Sequence, residues 1–164
     1  MEILFTPWRF AYVSGSADRS ECIFCKMLEA GEDRANLVLL RAELNFVVLN
    51  RYPYTSGHLM IAPYRHIADP SDASPEELLE MMTLCTAATG ILREHFKPEG
   101  FNIGMNIGRV AGAGEESHYH MHVVPRWGGD NSFVSVLGDA RIVPENLADT
   151  YERLEGDFRQ CRPG

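Results

Sequence analysis

The chain is short of positive charge, of cysteine and of long apolar runs. Its 15 Lys and Arg stand against 23 Asp and Glu, a formal net charge of −8 over 164 residues. A broad nucleic-acid surface needs clustered cations, so the balance argues against that partner. A small anionic ligand stays open, because a local field can oppose the net charge. No apolar run approaches the roughly 20 residues that span a bilayer, so no membrane partner is expected. Residues 1–10 are aromatic-rich but lack the basic start, long apolar stretch and small-residue cleavage site of a secretory leader. A cytoplasmic location is the expectation. Internal repeats and low-complexity segments are also lacking, and the 45% hydrophobic content is that of a globular protein with a substantial core. One domain is expected over residues 1–164. Of only four cysteines, Cys22 and Cys25 form a close pair, which in a reducing compartment reads as metal ligation or redox chemistry before it reads as a disulfide. Cys85 lies in a helical pattern and Cys161 in the tail, as packing or incidental residues.

Residues 1–20 read as an extended arm. A short helix carrying the Cys pair is expected over 22–30, stopped at Gly31, and β-like segments follow at 36–41, 44–50 and 57–63. The last two flank a turn, Arg51-Tyr52-Pro53-Tyr54-Thr55-Ser56-Gly57. Ser74-Pro75-Glu76-Glu77 carries an N-cap, Pro at N1 and a capping-box Glu, which predicts a helix from there to about Phe96. Its stripe of Leu78, Met81, Met82, Cys85, Ala88 and Leu92 reads as core. Strands are expected at 101–107 and 118–125 around a Gly-rich loop at 108–114, and Pro144-Glu145 opens a last helix to about Gln160. Strands joined by short connections around one long helix predict an α+β fold with a mainly antiparallel sheet.

Half of the six histidines fall in His118-Tyr119-His120-Met121-His122. On a strand, alternate side chains share a face, so the three imidazoles point one way and Tyr119, Met121 and Val123 the other. Three such residues span about 13 Å, too far for all three to ligate one zinc at about 2.1 Å. Divided roles fit better. A middle histidine facing a cleft can attack phosphorus if its other nitrogen is held by a hydrogen bond, provided donors meet the developing charge. The preceding run from Asn102 to Gly114 can supply them through close-approaching backbone N–H groups, Asn106 and Arg109. His95, near the end of a predicted helix, reads as solvated or as compensating the helix dipole.

His118–Val124 matches the His-φ-His-φ-His-φ-φ signature, and the chain resembles the histidine triad (HIT) superfamily of nucleotide hydrolases and transferases. The resemblance covers about residues 22–127, with residues 128–164 as a C-terminal extension. Leu49-Asn50 and Gly57-His58-Leu59-Met60-Ile61-Ala62-Pro63-Tyr64-Arg65-His66 look like the family's upstream signature. Val124-Pro125-Arg126-Trp127-Gly128-Gly129-Asp130, with the tail through Tyr151, is similar to the bacterial branch described as diadenosine tetraphosphate phosphorylase or hydrolase-like.

The resemblance implies that His120 attacks the α-phosphate of a nucleotide, giving a nucleotidyl-histidine that water or inorganic phosphate resolves. It implies that His122 and His58 orient the network and that no catalytic metal is required. Asn50 would contact the ribose, and Asn106 the phosphate or ribose. The family often carries Gln four residues before the first histidine. Gly114 stands there in this chain, so backbone groups from Gly112 to Gly114 and the Ser117 hydroxyl are the candidate replacements. The resemblance also implies a structural zinc on Cys22, Cys25, His66 and His118, a closed tetrahedral set, and a homodimer. The competing readings are a nucleoside phosphoramidate or nucleotidyl-ester hydrolase, and a nucleotide-binding signalling protein with little turnover.

Overall fold

The computed structural model describes residues 21–130 and 145–161. The expected arm at 1–20, the stretch 131–144 with the expected helix start at Pro144, and residues 162–164 lie outside the described residues.

Helix α1 (Ile23–Ala30) ends at Gly31, whose φ of +66° is the left-handed cap that glycine adopts without strain. A four-residue helix α2 (Asp33–Asn36) follows, which the sequence did not suggest, so strand β1 (Val38–Arg41) starts later than expected. Strands β2 (Asn45–Leu49) and β3 (Leu59–Pro63) precede the long helix α3 (Pro75–Phe96). Strands β4 (Gly100–Met105) and β5 (Met121–Arg126) and helix α4 (Leu147–Gln160) complete the described elements. The sheet order is β1-β2-β3-β5-β4 and every pairing is antiparallel. This is the expected α+β architecture of an antiparallel sheet with a long helix and a C-terminal helix.

The capping box at α3 is complete: Ser74 accepts from the Glu77 N–H at 3.2 Å, and Glu77 accepts from the Ser74 N–H at 2.7 Å. At the far end Lys97 takes a left-handed φ of +48° ahead of Pro98, which cannot continue the helix. Helix α4 starts one turn inside the expected point, because Asn146 is its N-cap and accepts from the Asp149 N–H.

Both faces of the sheet are covered, which is why β2 and β3 are buried at every position rather than at alternate ones. Period 2 sorts their side chains. Val47, Leu49, Leu59, Ile61, Met121 and Val123 pack with Met81, Leu84, Cys85, Ala88 and Leu92 of α3 and Tyr151, Leu154 and Phe158 of α4. Phe46, Val48, Met60 and Ala62 face the other way, against Phe24 of α1 and Val38. Leu78 and Met82 do not join the core as expected: both are exposed, at the edge of an α3 stripe wider than the face the sheet covers.

The histidine strand also differs from its expected span of 118–125. The β3–β5 ladder runs from Leu59 and Val123 to Ile61 and Met121 and then stops, and β5 begins at Met121. Continued by two residues, the register would bring Tyr119 to Pro63, which has no N–H to give. The Tyr119 N–H donates instead to the Ile67 carbonyl at 2.8 Å, and its side chain still enters the main core with Met121 and Val123. Side-chain alternation therefore persists where the ladder does not. Likewise β4 ends at Met105 rather than 107. No described helix is long and apolar enough to cross a membrane.

Two carboxylates tie α3 to the sheet. Glu80 accepts from the N–H groups of Glu43, Leu44 and Asn45 and from Asn45 Nδ2, at 2.7 to 3.0 Å. Glu80→Ala leaves these donors unmet at the β1–β2 turn. It is expected to lower unfolding free energy by about 2 kcal/mol in urea titrations, with Glu80→Gln less harmful. Buried Glu77 receives both Nε and a terminal nitrogen of Arg65, at 2.7 and 2.6 Å, and this pairing holds its carboxyl below the ordinary range. A depressed native value gives stability that is full above the ordinary carboxylate pKa and fades as pH falls through the lowered one. Glu77→Gln is therefore expected to flatten the acid limb of the stability curve, as read from Tm against pH.

Candidate active site and metal centre

The histidines lie on the sheet face away from α3. His122 pairs in register with Met60, on the Phe24 side of the sheet, and His120 and His118 continue that side along the extended segment before β5. His58 stands at the head of β3, after the turn from Asn50 to Gly57. In that turn Asn50 Oδ1 accepts from the Tyr52 N–H at 2.9 Å. The Thr55 hydroxyl donates to the Pro125 carbonyl at 2.8 Å and anchors the turn to β5. Gly57 has φ +75°, and a Cβ there would lie 2.9 Å from Leu92 Cδ2, so both backbone conformation and space demand glycine.

Main-chain partners fix the protons of the imidazoles. The Tyr54 N–H donates to His58 Nδ1 at 3.0 Å, so the His58 proton sits on Nε2. From there it is donated to His122 Nδ1 at 3.0 Å, which leaves the His122 proton on Nε2. His120 Nδ1–H donates to the His118 carbonyl at 3.0 Å, leaving the lone pair on Nε2. His118 Nε2–H donates to the Pro63 carbonyl at 2.8 Å, which turns the lone pair of Nδ1 toward Cys22 Sγ, 3.3 Å away.

His58, His118 and His120 are buried. Burial, partly offset by the carbonyl of His118 and the charge of Glu115, holds His120 below the ordinary imidazole range. It is therefore neutral at pH 7, with an acceptor nitrogen beside the His122 ring at a centroid distance of 4.8 Å. A neutral, oriented imidazole next to an N–H donor is equipped for nucleophilic attack with a hydrogen bond to the departing oxygen. Phe24, wholly buried, lies 5.0 Å from the His120 ring and 5.2 Å from His118, screening both from water. Tyr54 covers His58 at 4.6 Å and lies nearly parallel to His122 at 6.1 Å.

The other expected residues fall around this row. Asn50 stands across from His58, its N–H donating to the His58 carbonyl and its Nδ2 3.4 Å from the imidazole nitrogens. Asn106 follows the last β4–β5 pair, Met105 and Met121, so the same register carries it opposite His120. Gly112, with φ +87°, closes the 3-10 turn of Arg109–Ala111 by giving its N–H to the Arg109 carbonyl at 3.0 Å, so it is not the substrate donor expected, and Gly114 is exposed two residues on. The Ser117 hydroxyl is engaged within the loop, donating to Glu115 Oε1 at 2.5 Å. Sequence reasoning passed over Phe24, Tyr54 and Glu115. Phe24 was signalled only as one of two apolar residues inside the Cys pair, while the other two carry no local signal of their contacts.

The second expected cluster is assembled from three distant segments. The ligand atoms of Cys22, Cys25, His66 and His118 all lie within 4.8 Å of one another. Cys25 Sγ is 3.4 Å from His66 Nδ1 and 3.8 Å from His118 Nδ1. A tetrahedral ion with bonds of about 2.3 Å to sulfur and 2.0 Å to nitrogen sets its ligands about 3.3–3.8 Å apart, so this donor set fits such an ion with little movement. Burial before other causes pushes the Cys22 thiol up to about 12, so an ion entering here displaces a proton. The His118 Nε2 bond to Pro63 is the outer contact that orients a ligating imidazole.

The HIT domain family matches residues 32–129. The AP-4-A phosphorylase of Mycobacterium tuberculosis (strain ATCC 25618 / H37Rv) is 42% identical over 166 aligned positions, covering 96% of this chain and 85% of the relative. The bis(5'-adenosyl)-triphosphatase of Dictyostelium discoideum is 26% identical, covering 79% of this chain and 86% of the relative. Among solved structures, a Zn-bound histidine triad family protein from Mycobacterium smegmatis superposes with a TM-score of 0.68 at 28% identity, covering 87% of this chain and 96% of that one.

The four-ligand cluster predicts one metal ion per chain in elemental analysis of the purified protein. Cys25→Ala or His66→Ala is expected to abolish stoichiometric retention after dialysis and to lower Tm; full retention would show that the cluster does not ligate.

Proposed function

Because this chain belongs to the HIT domain family, we propose that it is an enzyme that cleaves dinucleoside polyphosphates such as diadenosine tetraphosphate through a nucleotidyl-histidine on His120. The observation that carries the reading is the fixed tautomer of His120: a buried, neutral imidazole with its proton on Nδ1, beside the proton-bearing Nε2 of His122. The similarity to the phosphorylase and the triphosphatase supports a nucleotide substrate.

In the first step His120 Nε2 attacks the α-phosphorus, and a P–N bond forms as the bridging P–O bond breaks. The leaving phosphate oxygen departs as an anion that accepts a hydrogen bond from His122 Nε2–H, and the positive charge that His120 acquires is balanced by the transferred phosphoryl group. In the second step inorganic phosphate, or water that releases a proton to solvent, attacks the same phosphorus, and the P–N bond breaks with its electron pair returning to His120 Nε2. His58 keeps His122 in the required tautomer through the Tyr54–His58–His122 chain. Asn50 binds the ribose, and Asn106 and the Gly114 N–H meet the phosphate oxygens, since the N–H groups of Gly112 and Ala113 are already given to the carbonyls of Arg109 and Gly108. The Ser117 hydroxyl, bonded to Glu115, serves the loop's shape before it serves substrate. The similarity to the phosphorylase favours phosphate as the acceptor.

Cys22, Cys25, His66 and His118 hold a structural zinc, a reading supported by their spacing and by the Zn-bound neighbour. With four protein ligands the ion would leave no position for water and would supply a cross-link between α1, the segment after β3 and the histidine segment. A homodimer is supported by the outer face of α3. No charged side chain occurs from Met81 to Leu92, Leu79 and Met82 are 70% and 51% exposed, and Ile103 on the helix side of edge strand β4 is 48% exposed.

With diadenosine tetraphosphate and phosphate present, ADP and ATP are expected as products, and omission of phosphate stops ADP formation. AMP and ATP in water alone would mark a hydrolase, and binding without turnover would overturn the enzymatic reading. His120→Ala is expected to abolish turnover while retaining metal and fold. Unchanged activity in that variant would refute the histidine mechanism.

A further inference from the structure

Helix α1 lacks the N-cap that its sequence position would normally demand. Its N-cap residue is Cys22, which makes no capping hydrogen bond from its side chain, because the thiol is turned to His118. The helix also has no acidic residue in its first turn. An orphan first-turn N–H and a helix N-terminus both favour an oxygen anion. That anion comes from 92 residues away: Glu115 Oε2 accepts the Ile23 N–H at 3.2 Å. The other oxygen, Oε1, accepts from the N–H and hydroxyl of Ser117, at 3.2 and 2.5 Å. One carboxylate thus joins the residue between the two cysteines' ends of α1 to the residue just before His118.

The placement matters because the same two segments are joined a second time by the metal ligands. Cys22 and Cys25 belong to α1 and its cap, and His118 follows Ser117 directly. Glu115 and the metal site are therefore adjacent stitches across one seam. Glu115 also terminates the Gly-rich loop that leaves β4 after Asn106 and turns at Gly108 and Gly112, both at positive φ. Ile107 packs against the main core, but beyond it the loop carries glycines at 108, 112 and 114 and a fully exposed Val110. The contact with Ile23 supplies a fixed end.

We propose that Glu115 is a positioning residue that clamps the Gly-rich loop onto the metal-bearing helix, so that metal retention and nucleotide binding support each other through this carboxylate. A link of this kind is reciprocal: if metal orders the loop for nucleotide, nucleotide must slow the loss of metal by the same coupling. The proposal rests on the nucleotide reading for its second partner, but its metal half stands without it.

The experiment uses the metal-loaded protein and Glu115→Ala, with Glu115→Gln as the milder partner. A Gln side chain keeps one acceptor oxygen for the Ile23 N–H and can donate its amide to the Ser117 hydroxyl, but it cannot accept the Ser117 N–H at the same time. The first readout is the rate at which a chromophoric chelator strips zinc. Glu115→Ala is expected to release it about tenfold faster, the order that outer contacts of metal sites contribute, with Glu115→Gln between it and the parent. The second is the same rate with diadenosine tetraphosphate bound to His120→Asn protein, in which no turnover interferes. Nucleotide is expected to slow release when Glu115 is present and to have no effect in the His120→Asn, Glu115→Ala double variant. The third is steady-state kinetics, where Glu115→Ala raises KM by more than it lowers kcat.

Equal zinc release in parent and both Glu115 variants overturns the proposal, as does nucleotide protection that survives in the double variant. Should the parent turn over no dinucleotide and bind none, the functional reading fails, while the zinc-release comparison still decides whether Glu115 clamps the seam. A collapse of Glu115→Ala, seen by far-UV circular dichroism, leaves Glu115→Gln to decide, since it keeps the side chain's shape and its contact to Ile23 while losing the charge.

Discussion

A neutral imidazole can accept at only one of its nitrogens, and in this molecule the main chain decides which. The carbonyls of Pro63 and His118 and the N–H of Tyr54 each take one end of an imidazole, directly for His118, His120 and His58, and through His58 for His122. The outcome is a row of like residues that are chemically unlike. His118 turns its lone pair to the cysteines, His120 keeps one on Nε2, and His122 presents a proton there. Without these anchors the row would be three interchangeable rings, each sampling two tautomers.

The sheet makes that arrangement affordable in a buried setting. Buried polar groups cost free energy unless partnered, and the face bearing the histidines carries the smaller of the two apolar cores. Tyr119, Met121 and Val123 carry the apolar packing against α3 and α4, while His118, His120 and His122 alternate with them on the side closed by α1. One segment thereby serves core and chemistry at once, through its period of two. Phe24 is the point where the two requirements meet, since it packs on Phe46 in the smaller core and on the rings of His118 and His120.

Much of this could be read from the sequence wherever local pattern governs. The capping box at Ser74, the end of α3 before Pro98, the alternation through the histidines and the close Cys pair are all local signals, and the structure contains each, whereas His66 and His118 joined that pair only through the family resemblance. What escaped depends on residues brought together across the chain. The start of β5 is set by Pro63 on a neighbouring strand, so no inspection of residues 118–125 could locate it. Leu78 and Met82 share the period of the core stripe, yet whether a helix position is covered depends on the width of what lies beneath. Asn50 and Asn106 were named from resemblance, and only the β2–β3 and β4–β5 registers explain why they arrive opposite His58 and His120. The engagement of Ser117 by Glu115 was not visible, because a hydroxyl's partner is a matter of loop geometry.

The anchors described above have a bearing on how such a site can diversify. A side-chain anchor is lost with one substitution, whereas a carbonyl or an N–H is carried by almost any residue at its position. Those here belong to Pro63, His118 and Tyr54, and the two carbonyls would persist through any exchange that preserved the backbone path; only proline at position 54 would remove the N–H. The side chains that surround the row, in the 50–57 turn and the 106–117 loop, can therefore vary in size and polarity without reassigning a proton. The chemistry is held by the path of the chain, and the choice of what enters the site is left to the residues decorating it.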